Sequence, residues 1–86
     1  MSAGEGADAI AIVEATIALD DLLSLFGEVS EQIREAKARG RGTPEWFRAM
    51  KDREDTLYGE VSVQRHKRTR LLLAWREAYR PARAQG

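Results

Sequence analysis

The chain has 86 residues, with fourteen basic and fourteen acidic side chains, no cysteine and 43% hydrophobic residues. These figures exclude a disulfide framework and any thiolate metal site, and no apolar run approaches the roughly 18 residues of a membrane span. What remains is one small folded domain, of a size whose stability often leans on association.

The charges cancel in sum but not in place. Residues 1–31 carry seven acids and no base. From Val61 onward there are seven bases and one acid, Glu77. Such asymmetry marks either a contact with an anionic partner or two ends of one chain lying against each other.

Residues 1–7 read as a flexible tail. They hold no basic start, and the apolar stretch that follows is broken by Asp8 and Glu14. That is a poor secretory signal, so a cytoplasmic protein is expected. Arginine outnumbers lysine eleven to three and alanine is plentiful, which suggests a GC-rich bacterial or phage coding sequence.

The first periodic segment runs from about residue 8 to 39. Ile12, Leu19, Phe26 and Ile33 fall seven apart, and so do Ala15, Leu22, Val29 and Ala36. All eight sites of this seam are apolar, the pattern of a helix that packs along another helix. Glu31 with Arg34 and Glu35 with Arg39 add helix-surface pairs. Gly40-Arg41-Gly42 then reads as a C-terminal cap and turn over 40–43. Thr43 can cap a new helix, and Pro44 suits its first turn. So short a connection favours antiparallel neighbours.

The second helix is expected from about 44 to 80, where Pro81 ends it. Its seam holds Phe47, Met50, Leu57, Val61, Leu71, Trp75 and Ala78, interrupted by Glu54, Gln64 and Arg68. Gly59 and the alternation Val61-Ser62-Val63 leave a break near residue 59 as the alternative. A third helix would then fold back within the chain. Residues 81–86 read as a second tail.

The fold expected is therefore all-α, a long antiparallel helical hairpin over residues 8–80. Ile10, Val13, Ile17, Leu23 and Leu25 lie off its seam. A helix apolar on several sides needs more cover than one companion gives. The simplest cover is a second copy, giving a four-helix bundle; a different partner protein is the other source. Trp46 and Phe47 are adjacent and cannot both face one seam, so Trp46 joins these five as a candidate partner anchor. Antiparallel pairing would set Asp20 and Asp21 near residues 61–67.

Little in the chain suggests chemistry. His66 is the lone histidine, sits between Arg65 and Lys67, and lacks the positioned partner that catalysis needs. Neither calcium-loop spacing nor Glu-x-x-His motifs are present. The run Asp20-Asp21-Leu22-Leu23-Ser24-Leu25 is similar to part of the first helix of all-helical chorismate mutases. The arginine such enzymes place soon after it is missing, with Phe26-Gly27-Glu28 in its stead, so the likeness implies no such activity here. No cofactor, metal or small-molecule substrate is expected.

The sharpest alternative is Arg65-His66-Lys67-Arg68-Thr69-Arg70. Arg65, Lys67, Arg68 and Arg70 could follow a phosphate backbone, with the basic stretch extended by Arg76, Arg80 and Arg83. An anionic membrane surface would attract the same segment less specifically. Trp75 and Tyr79 could stack on bases if exposed, although their helical spacing with Leu71 and Leu72 reads as core. The function expected is a non-catalytic helical interaction or regulatory module. A nucleic-acid-binding regulator is the second reading.

Overall fold

Two helices account for the whole fold in the computed structural model, which describes residues 3–79. Helix α1 spans Ala3–Arg39 and helix α2 spans Pro44–Ala78. They pack side by side as an antiparallel hairpin. Helix α1 begins at Ala3 rather than near residue 8, and α2 stops at Ala78, two residues short of the expected end. The proposed stop at Pro81 and the tail 81–86 lie outside the described residues.

The turn follows from its residues. Gly40 takes φ +66° and Gly42 takes φ +96°, where an L side chain is strained. Arg41 N–H donates to the Ala36 carbonyl at 2.8 Å, and Gly40 N–H donates to Lys37 at 3.3 Å. Together these bonds form a Schellman cap, which satisfies carbonyls the helix end leaves free. Thr43 is extended, and its hydroxyl accepts from Trp46 N–H at 3.1 Å. Pro44 opens the first turn, where its missing N–H goes unneeded. The helix therefore starts where the sequence predicts.

The eight-residue seam of α1 is also where the sequence places it. Ala15 and Val29 are buried, and the other six sites are half-buried. On α2, Leu57 and Val61 are buried. The expected alternative of a break near Gly59 is not found, because α2 runs unbroken through it. A helical glycine costs about 1 kcal/mol relative to alanine. Leu57 and Val61, two residues to either side, anchor this stretch to α1. With α2 continuous, no third helix folds back over α1 among the described residues. Ala78, assigned to the seam from sequence, is exposed.

The three polar interruptions of the α2 seam are themselves at the interface. Glu54, Gln64 and Arg68 are all half-buried. Ser30 Oγ donates to Glu54 Oε2 at 2.6 Å. Arg68 Nε donates to Thr16 Oγ1 at 2.7 Å, and that hydroxyl donates onward to the Ile12 carbonyl at 2.9 Å. Equal steps along the two helices separate these cross-links. The Phe26 and Tyr58 rings, 6.1 Å apart, meet between them in the same register. At the open end Tyr79 Oη donates to Asp8 Oδ2 at 3.0 Å.

The result is a rod of 63 × 25 × 16 Å with a radius of gyration of 19.3 Å. A compact chain of this length would have a radius near 12 Å. Among the described residues the buried core is Ala15, Val29, Leu57 and Val61, and no side chain is fully enclosed.

Two glycine substitutions should act in opposite directions. At Gly59 an added Cβ meets nothing within 4 Å, so Gly59→Ala should stabilise the hairpin by about 0.5–1 kcal/mol. At Gly42 it would lie 2.9 Å from the Phe47 ring at a positive φ, so Gly42→Ala should destabilise by about 1 kcal/mol or more. Urea unfolding followed by circular dichroism checks both.

Candidate functional site

Residues at i, i+3 and i+7 of a helix lie in one row. Ile10, Val13 and Ile17 have this spacing on α1, and they are 59%, 56% and 55% exposed. Their row faces away from α2, on the outer side of the hairpin. It continues toward the turn through Asp20, Asp21, Ser24 and Glu28, all exposed. The outer side of α1 is thus apolar near the open end and acidic beyond it.

The other three candidate residues lie elsewhere. Leu23 and Leu25 are each 40% exposed. Two residues apart, they point in nearly opposite directions at about 100° per residue, so they flank the seam on its two sides. Trp46 is at the turn end. It packs edge-on against Phe47, with ring centroids 5.0 Å apart, and both are half-buried. The six residues therefore form one row of three, two flanking positions and a separate aromatic corner.

Two open clefts lie on the surface of the hairpin. One, of about 550 Å³, is lined by Gln32, Ala36, Arg39, Arg41, Thr43 and Trp46 among others. The second, of about 600 Å³, is lined by Leu22, Thr56, Gly59, Glu60, Val63 and Gln64. Gln64 Oε1 is buried without a hydrogen-bond partner, and so is Trp75 Nε1.

The basic segment does not present one surface. Arg65, Lys67 and Arg70 are exposed, but Arg68 is half-buried and bonded to Thr16. Arg65 and Lys67, two residues apart, point to opposite sides. Trp75 and Tyr79 are half-buried, with ring centroids 5.7 Å apart. His66 is exposed, and its Nδ1 lies 3.0 Å from the Ser62 carbonyl, a bond that requires the proton on Nδ1. Among the described residues no group of three or more histidines and carboxylates could hold a metal ion. No described helix is long and apolar enough to cross a membrane.

The opposed charges of the two helices are not consumed inside the hairpin. The acidic half of α1 does run beside the basic half of α2, as the sequence predicts. Yet every ion pair among the described residues is within one helix: Glu31–Arg34, Glu35–Arg39, Lys51–Glu54 and Lys51–Asp55. Glu14, Asp20, Asp21, Lys67 and Arg70 form none.

Comparison with known protein families, with characterised proteins and with solved structures returns no match.

Sequence reading passed over two features of this surface. One is the outer side of α2, where Val63 and Leu73 are 66% and 57% exposed beside Lys67 and Arg70. Their helical spacing off the seam was the available signal. The other is Glu54, read as a mere interruption. Hydrogen bonds from Lys51 and from Ser30 hold its carboxyl below the ordinary carboxylate range, and burial opposes them. Lys51 is raised in turn by its hydrogen bond to Glu54 and by the nearby carboxylates.

A lowered carboxylate stabilises the folded state above its unfolded pKa, and that contribution is lost as pH falls through the folded value. The hairpin should therefore weaken on acidification below the usual carboxylate range. Glu54→Gln should flatten that part of the pH profile, as urea midpoints measured from pH 7 to pH 3 would reveal.

Proposed function

We propose that the protein is a small non-catalytic interaction module that docks on another protein surface through Ile10, Val13 and Ile17. The observation that carries this reading is one row of three β-branched side chains, each more than half exposed, on the outer side of α1. Burying a side chain of this kind contributes about 1.5–3 kcal/mol. The chain exposes 6684 Å², more than the roughly 5,100 Å² of a compact monomer of 9.7 kDa, because a rod of two helices leaves its outer sides uncovered.

The nucleic-acid reading has less support, because Arg68 is engaged by Thr16 and its basic neighbours splay around the helix.

The double variant Val13→Glu with Ile17→Glu tests the docking reading. Both positions are exposed, and substitutions at such sites usually change stability by less than about 0.5 kcal/mol. Helicity, and the melting temperature at a concentration where the wild type is a single chain, should be preserved, while self-association, or co-purification with a partner from the source cells, should be lost. A hairpin that loses several kcal/mol of stability while sedimenting as a single chain would overturn the reading.

A further inference from the structure

The docking row comes with a charge frame, and the frame names its occupant. Glu14 flanks the row, and Asp20 and Asp21 close its lower end. No basic residue occurs in residues 1–31. Two α1 rows laid against each other would bring these carboxylates together, and like charges across an interface are strongly disfavoured. The fitting surface is an apolar helix face edged by lysine or arginine. The outer side of α2 is such a face. Val63, His66, Arg70 and Leu73 follow one another at helical spacing, with Lys67 alongside, and all five are exposed.

Resting on the docking reading above, we infer that the outer face of α1 receives the outer face of α2 from a second copy of this chain. In that contact Ile10, Val13 and Ile17 meet Val63, Leu73 and the aliphatic stem of Arg70. Asp20, Asp21 and Glu14 meet Lys67 and Arg70. The arginine and lysine stems cover apolar surface while their charged ends reach the flanking carboxylates. These are the groups that pair with nothing inside the hairpin.

The geometry then dictates the kind of assembly. The two outer faces lie on opposite edges of one hairpin, since each points away from the shared seam. Two copies cannot satisfy both edges of both chains. The contact is head-to-tail, and it produces a ring or an open row of alternating helices rather than a closed dimer. A standard interface covers about 800 Å² per partner, and a copy bonded on both edges would use two such patches.

Sedimentation velocity over a concentration series tests this, with two charge-reversed proteins beside the wild type. One carries Lys67→Glu and Arg70→Glu, the other Glu14→Arg and Asp21→Arg; thermal melts confirm that each folds. The wild-type mass should rise past two chains with concentration, and less so at high salt. Each variant alone should associate at least about tenfold more weakly. An equal mixture should recover assembly, because both of its alternating contacts again pair acid with base.

A wild-type mass that levels off at two chains overturns the head-to-tail contact. Undiminished association of the Lys67→Glu, Arg70→Glu protein also overturns it. In either case docking through α1 survives if the Val13→Glu, Ile17→Glu protein no longer associates. A wild-type chain that stays single throughout the series overturns the inference as well. The α1 docking reading is then decided separately by that variant's co-purification with a partner.

Discussion

Two parallel rods can touch along only one stripe each, and most properties of this protein follow from that limit. The stripe on α1 is fully apolar, and that on α2 holds buried Leu57 and Val61. Neither helix can shield its own outer side. A third layer would enclose the pair, as in most domains. Here the chain between the helices is spent on a four-residue turn, so that layer is absent among the described residues. The long shape, the thin core and the exposed isoleucines share this single cause.

A thin core defines alignment poorly, because sliding one apolar stripe along another changes little. Polar groups in the seam supply the missing definition. Arg68 reaches Thr16, Glu54 reaches Ser30, and a slip of one helical turn would leave each of them half-buried without its partner. Stranding a buried polar group costs about 1–3 kcal/mol. The seam thus trades some apolar contact for a unique alignment, a use of polar residues that also occurs in coiled coils. Gln64 and Trp75 share the seam without this benefit, since Gln64 Oε1 and Trp75 Nε1 find no partner.

The sequence made some of this legible and hid the rest for physical reasons. The seam of α1 was readable because eight apolar residues repeat without interruption. The turn was readable because glycine, threonine and proline each occupy a position only their chemistry favours. The polar seam of α2 was not, since Glu54, Gln64 and Arg68 break an apolar pattern and their partners are hydroxyls far away in sequence. Gly59 suggested a break because local propensity was weighed without the packing of Leu57 and Val61. Opposite charges on the two helices suggested that they lie against each other, and they do, with no ion pair between the helices among the described residues. Of the candidate site, Ile10, Val13 and Ile17 share a row, whereas Leu23 and Leu25 lie to either side of the seam and Trp46 stands at the turn, because lying off the seam does not by itself place residues on one face.

The capped turn at Gly40–Thr43 has a consequence for how the molecule assembles itself. Contacts next to the turn link residues near in sequence, and each step outward spans a longer loop, up to Asp8 with Tyr79. Closing short loops loses less entropy than closing long ones, so contacts beside Gly42 cost least to form and those at the opposite tip cost most. Ile10, Val13 and Ile17 sit near that costlier tip. Whatever clamps them also helps to hold the far end of the hairpin closed.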